Sequence, residues 1–160
     1  MPEAVASEVR GLLVKDIMVK NPLTMHSERT VREAALAMER SAVGCVLVTK
    51  DDREQDVVGI VTERNLVRRV LTKEGDMSGT RVKSIMSSPL IVIVSDATIE
   101  QAARIMERNG VRRLPVVDPT GLVGVVTVDD LAKALAKQLE YSDAVLNAMA
   151  RVSAPKGLYV

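Results

Sequence analysis

The chain has 160 residues, 47% of them apolar and 27% charged, with 22 basic residues against 21 acidic ones and a formal net charge of +1. That length holds one ordinary domain or two very small ones, and so even a charge balance argues against a general nucleic-acid binder, which carries a basic excess. A single cysteine excludes an intrachain disulfide framework. No apolar run approaches the ~20 residues of a membrane span, and Met1–Arg10 has no hydrophobic signal region, so a soluble cytoplasmic protein is expected.

Residues 1–13 read as an N-terminal extension, followed by Val14-Lys15-Asp16-Ile17-Met18. After Pro22, Leu23-Thr24-Met25 reads as extended, ending near His26. That lone histidine has no second ligand at metal-binding spacing, which argues against a metal site. Thr30-Val31-Arg32-Glu33 fits a capping box, a hydroxyl followed three residues later by a carboxylate. Behind it Val31, Ala34, Ala35 and Met38 fall on one helical face. Two β-rich runs follow, Val43–Thr49 and Val57–Thr62, with Cys45 read as a small core residue. A second helix is expected from Thr62, carrying Leu66, Val67, Val70 and Leu71.

A polar linker over 73–81, containing Gly75 and Gly79, leads to a second pass through the same order. Val82-Lys83-Ser84-Ile85-Met86 matches the opening motif, and Leu90–Val94 follows Pro89 as an extended segment. Thr98-Ile99-Glu100-Gln101 is the second capping box, with Ile99, Ala102, Ala103 and Met106 behind it. The strands Arg113–Val117 and Leu122–Thr127 flank Asp118-Pro119-Thr120-Gly121, a hairpin turn signal. A last helix starts at Thr127 with Leu131, Ala134 and Leu135. In the tail, 140–160, the weakly amphipathic Ser142–Ala150 either packs on its own domain or joins a dimer or partner contact.

The repetition is in register. Met18 to Met86 and Thr30 to Thr98 are both 68 positions, and Gly59 to Gly124 is 65, so the first copy holds about three extra residues, placed in Lys50–Asp56. Two copies are too few for a solenoid, and a unit of roughly 50 residues buries too little surface to stand alone. The halves, 14–72 and 82–139, are therefore expected to share a core, with clefts between them.

No Ser-His-Asp set, HExxH motif or GxxxxGK loop is present, which argues against an enzyme. The more specific signal lies at two strand-to-helix turns, Gly59-Ile60-Val61-Thr62-Glu63-Arg64-Asn65 and Gly124-Val125-Val126-Thr127-Val128-Asp129-Asp130. Each is a helix N-cap. An acidic group in a first turn beside a glycine-opened cleft also suits a ribose, while free backbone N–H groups and nearby arginines suit a phosphate.

With the opening motif, the Thr-capped helix, Val-Arg-Arg-Leu-Pro-Val-Val-Asp (Val111 to Asp118) and Gly-x-x-Thr-x-x-Asp in this order, the repeat resembles the CBS domain, and the pair resembles a Bateman module. The resemblance implies an α/β (α+β) fold of two strand-helix-strand-strand-helix repeats packed as a pseudo-twofold pair. It implies a non-catalytic regulatory module that binds AMP, ADP or ATP as a regulatory ligand between the copies and needs no resident cofactor. Carried over, the stronger site uses Thr127 and Asp130 on the ribose, Arg112 and Arg113 on phosphate, and Met18, Lys20, Pro22, Leu23, Thr24 and Val43 around the base. The weaker site uses Thr62 and Asn65, with Ser87 to Ile91 (Ser88, Pro89 and Leu90 among them) and Val111. Two departures weaken it: Asn65 replaces Asp, and Gly44-Cys45 stands where the second copy has Arg112-Arg113. Arg64 either turns inward to compensate or solvates a helix face. A homodimer and a separate regulated protein are the expected partners. The alternatives are another adenosyl ligand, such as S-adenosylmethionine or a dinucleotide, or nucleic acid on an Arg104, Arg108, Arg112 and Arg113 patch.

Overall fold

The computed structural model describes residues 11–50 and 56–138. In chain order these form α1 (Val14–Ile17), β1 (Val19–Lys20), β2 (Thr24–His26), α2 (Val31–Ser41), β3 (Cys45–Thr49), β4 (Val57–Thr62) and α3 (Glu63–Arg69). After a 3₁₀ turn at Leu71–Lys73 come α4 (Val82–Ile85), β5 (Ile93–Val94), α5 (Ile99–Asn109), β6 (Arg113–Asp118), β7 (Gly121–Thr127) and α6 (Val128–Gln138). The expected mixed α+β architecture is present. The expected insertion lies mostly in 51–55, and the Ser142–Ala150 segment in the tail, both outside the described residues.

Both capping boxes form. Thr30 Oγ1 accepts the Glu33 N–H at 3.2 Å, and Glu33 Oε2 accepts the Thr30 N–H at 2.7 Å. Thr98 and Gln101 repeat the exchange at 3.1 and 2.9 Å, so each helix start satisfies its own orphan donors. Both helices end in a left-handed residue, Ala42 at φ 54° and Gly110 at φ 61°.

The chain divides into two compact units: a central one, Asn21–Ile91, and a discontinuous one made of residues up to Lys20 and from Val92 onward. In the central unit the sheet order is β2-β3-β4, parallel then antiparallel, and an antiparallel bridge from Ile60 to Ser87 extends it. Its core is Val31, Ala34, Met38, Val46, Val48, Val61, Leu66 and Val70, joined by Val82 and Ile85. The 73–81 linker is part of this unit. Thr80 O and Met77 O accept the Val31 and Arg32 N–H groups at 2.9 Å each, and the Met77 side chain packs on the core. The discontinuous unit has the order β1-β7-β6-β5. Val14, Ile99, Ala102, Met106, Leu114, Val116, Val126 and Leu131 are buried in it.

Each unit thus holds the opening segment of the other repeat. Val14 and Lys15 donate N–H to Ala97 O and Ser95 O at 2.8 and 3.0 Å; Val82 and Lys83 donate to Arg29 O and Ser27 O at 2.9 and 3.2 Å. Leu13 bridges Thr98 as Arg81 bridges Thr30. Lys15 pairs with Asp96 at 2.7 Å, and Lys83 pairs with Glu28. Each of these contacts has its counterpart at the 68-residue spacing of the repeat. The repeats exchange segments: Val82 and Ile85 enter the central core, and Val14 is buried in the discontinuous unit.

Several expectations about burial are corrected. Ala103 is exposed and Ala35 only half-buried, because the buried stripes of α5 and α2 are narrow. Val67 and Leu71 are 49% and 57% exposed: α3 stops at Arg69 and Val70 leaves helical geometry, which breaks the stripe. Leu135 is also exposed. Cys45 is half-buried at the start of β3 rather than in the core. His26 is half-buried, and its Nδ1 accepts the Glu28 N–H at 3.1 Å, closing a turn.

Candidate functional site

Strand β7 delivers Thr127 to the start of α6, and the helix is capped reciprocally. Thr127 N–H and Oγ1–H donate to Asp130 Oδ2 at 2.8 and 2.9 Å, and Asp130 N–H donates to Thr127 Oγ1 at 3.2 Å. The Val128 N–H donates to Arg112 O at 2.9 Å, and Arg113 lies opposite Thr127 across the β6–β7 ladder. Two guanidinium-bearing residues are therefore tied by backbone to the turn that carries Asp130. Asp130, Thr127 and Arg113 are half-buried; Arg112 is exposed.

On the other edge of β7, β1 pairs antiparallel through Val19–Val125 and Lys20–Gly124. Gly124 is needed there. A Cβ at this position would sit 2.7 Å from Val19 O and 2.8 Å from Met18 Sδ. The opening motif of the first repeat thus rests on the Gly-x-x-Thr strand of the second. Of the stronger predicted set, Met18, Lys20, Arg112, Arg113, Thr127 and Asp130 fall in the discontinuous unit; Pro22, Leu23, Thr24 and Val43 fall in the central one.

The central unit builds the same turn from different chemistry. Thr62 N–H and Oγ1–H donate to Asn65 Oδ1 at 2.8 and 3.0 Å, and Asn65 N–H donates to Thr62 Oγ1 at 3.2 Å. Asn65 is only 9% exposed, and its Nδ2 donates to Ser87 Oγ at 3.4 Å. Cys45 lies opposite Thr62 and the Glu63 N–H donates to Gly44 O at 3.2 Å, so Gly44-Cys45 occupies the register of Arg112-Arg113. Gly59 makes room for Met86, whose Cγ would lie 2.8 Å from a Cβ there. Arg64 is exposed, the solvating alternative. Of the weaker predicted set, Thr62, Asn65, Ser88, Pro89, Leu90 and Ile91 belong to this unit and Val111 to the other.

Sequence reasoning missed Arg69. From the end of α3 its Nη1 donates to Ile85 O at 2.7 Å and Met86 O at 2.9 Å, capping α4, and Ser88 Oγ–H adds a bond to Val58 O at 3.0 Å. Nothing local signals this, since its acceptors are backbone carbonyls 16 and 17 residues away. Among the described residues no cluster of three His, Cys, Asp or Glu groups could hold a metal, and no helix is long and apolar enough to cross a membrane.

The CBS domain family model matches twice, over residues 14–72 and 82–137. An uncharacterised protein of Methanopyrus kandleri is 32% identical over 124 residues, 77% of this chain and 62% of that protein. The CBS domain-containing protein YhcV of Bacillus subtilis is 36% identical over 120 residues, 74% of this chain and 82% of that one. The chain thus spans less than two thirds of the first relative and most of the second. Among solved structures, the CBS domain pair of protein MJ0100, in complex with 5′-methylthioadenosine and S-adenosyl-L-methionine, superposes with a TM-score of 0.71 at 26% identity, covering 79% of this chain and 98% of that one. CBS domains are generally regulatory, ligand-binding modules rather than catalysts. The chain belongs to the CBS-domain family and carries a pair of these domains.

Proposed function

We propose that this CBS pair is a non-catalytic sensor that binds an adenine nucleotide (AMP, ADP or ATP) at the Thr127–Asp130 turn and signals occupancy to a separate protein, acting as a homodimer. The observation that carries this reading is a fixed carboxylate on a strand-to-helix turn, with two arginines at the start of the neighbouring strand β6 tied to that turn by backbone. Thr127 uses Asp130 Oδ2 for the cap, and among the described residues no donor reaches Oδ1, which is left to accept ribose hydroxyls. Arg112 and Arg113 supply planar cations for phosphate, and the Met18–Lys20 backbone beside Gly124 frames the base. Occupancy shifts a conformational equilibrium only by the ligand's differential affinity for the two states.

A second reading, a phosphate-free adenosyl ligand, is favoured by the ligands of the MJ0100 pair. Thermal melting with AMP, ADP, ATP and S-adenosylmethionine in parallel separates the two. A ligand at 100 times its dissociation constant adds about 2.7 kcal/mol of apparent stability. Asp130→Ala should weaken binding by ~1.5–3 kcal/mol, the worth of hydrogen bonds to a charged group. Stabilisation by the phosphorylated ligands that is lost in Asp130→Ala supports the sensor. Stabilisation by S-adenosylmethionine alone supports the second reading, and none from any of the four refutes both.

A further inference from the structure

The two opening segments sit on equivalent strands in equivalent register: Val19 faces Val125 and Ser87 faces Ile60. Yet they are fastened differently. In the central unit four side-chain bonds hold residues 85–88: two from Arg69 to Ile85 O and Met86 O, one from Asn65 to Ser87, and one from Ser88 to Val58 O. In the discontinuous unit the repeat places Ala134 where Arg69 would be, Val19 where Ser87 would be, and Asp130 where Asn65 would be. Alanine and valine have no polar side chain, and a carboxylate has no amide donor, so the first three bonds cannot form. Among the described residues, 18–20 keep the β1–β7 pairing, the Met18 N–H to Val14 O bond at 2.9 Å and, upstream, the Lys15–Asp96 pair, with no side-chain bond to Met18–Lys20.

We infer that the two turns have divided their work: Asn65, Ser87, Ser88 and Arg69 fasten the central unit's opening segment from within, whereas Met18–Lys20 is left to be fastened by the ligand at Asp130. One nucleotide then binds per chain, and β1 is the element that reports it. The inference rests on the Asp130 site proposed above and adds its stoichiometry and its moving part. It also gives the buried Asn65 a role: its carboxamide is spent on Thr62 and Ser87, and the Gly44-Cys45 pair beside it offers no cation.

Hydrogen exchange on the full chain tests this, with amide protection corrected for intrinsic rates. Without ligand, Met18–Lys20 should be protected about tenfold or more less than Met86–Ser88, the effect of net hydrogen bonds lost from one side only. Saturating nucleotide should raise protection at 18–20 and leave 86–88 unchanged, with calorimetric titration giving one nucleotide per chain. Arg69→Met, and independently the milder Ser87→Ala, should lower protection at 86–88 without changing 18–20. Equal protection of the two segments in the free protein, nucleotide-induced protection at 86–88, or two bound nucleotides would each overturn the inference. If the free protein shows the asymmetry but no nucleotide binds, the internal fastening stands and the sensor reading fails.

Discussion

The glycines beneath the two opening methionines offer a test in which the clash partner differs between copies. Replacing a strand glycine with alanine where there is room stabilises by about 0.5–1 kcal/mol, chiefly by restricting the unfolded chain. At Gly124 there is no room: the new Cβ would lie 2.7 Å from the Val19 carbonyl oxygen and 2.8 Å from Met18 Sδ. At Gly59 the three nearest atoms all belong to the Met86 side chain, its Sδ, its Cγ at 2.8 Å and its Cβ at 3.1 Å. Overpacking of this kind costs about 1–3 kcal/mol, so each single alanine should destabilise, Gly124→Ala the more because backbone must move. The double mutants then diverge. In a Met86→Ala background Gly59→Ala should lose most of its cost, because Sδ and Cγ are gone and only the Cβ contact at 3.1 Å remains. In a Met18→Ala background Gly124→Ala should still cost about 1 kcal/mol or more, because Val19 O remains. Urea unfolding midpoints with unchanged slopes give both coupling energies. Full rescue of Gly124→Ala by Met18→Ala would show that β1 is not held against β7 at this separation and would refute the reasoning.

The helix ends and the first capping box give two more expectations. Ala42 and Gly110 are equivalent left-handed caps, and a Cβ on Gly110 meets nothing within 4 Å. Gly110→Ala should therefore cost about 1 kcal/mol from backbone strain alone, and Ala42→Gly should gain a similar or smaller amount; thermal melts of the two variants should move in opposite directions. Glu33 is held below the usual carboxylate range, first by the Thr30 backbone N–H and then by the Thr30 hydroxyl, with burial opposing. With its folded pKa below the unfolded value, the stability it contributes is present above the unfolded pKa and lost as pH falls through the folded one. The stability gap between wild type and Glu33→Gln should shrink as the medium is acidified below about pH 4.5. Gln101→Glu should bring the same acid sensitivity to the second box, which now caps with a neutral amide. A gap that widens on acidification would reverse the assigned sign.

Much of the architecture was legible along the chain. Thr30, Thr98, Thr62 and Thr127 all cap helices where the hydroxyl-x-x-polar spacing placed them, because capping is a local exchange between residues three apart. The hairpin at Asp118–Gly121 formed for the same reason, with Asp118 Oδ1 accepting the Thr120 N–H at 2.7 Å. The turns carrying Asp130 and Asn65 were equally visible. What each side chain does there was not. Asn65 looked like a weaker copy of Asp130, but its second polar atom is engaged by Ser87, 22 residues away. The burial of Val67, Leu71 and Ala103 was misjudged because helical spacing marks a possible apolar face but cannot show where a short helix ends or how wide its contact is.

By itself, then, the sequence determined the duplication, the order of elements, the caps and the two Gly-x-x-Thr turns, all properties of residues close together in the chain or related by a fixed offset. Only the tertiary structure decided which copy each opening segment serves. Val14–Lys20 and Val82–Ser88 carry helices of four residues and the shortest of edge pairings, far too little to be stable alone. They exist as structure because Gly124 and Gly59 admit Met18 and Met86, and because Ala97 O and Arg29 O accept their first N–H groups. Such contacts join residues scores of positions apart and leave no periodic trace. The same exchange, through Arg69, Asn65 and Ser88, fastens one opening segment with side chains, whereas among the described residues no side chain does so for Met18–Lys20.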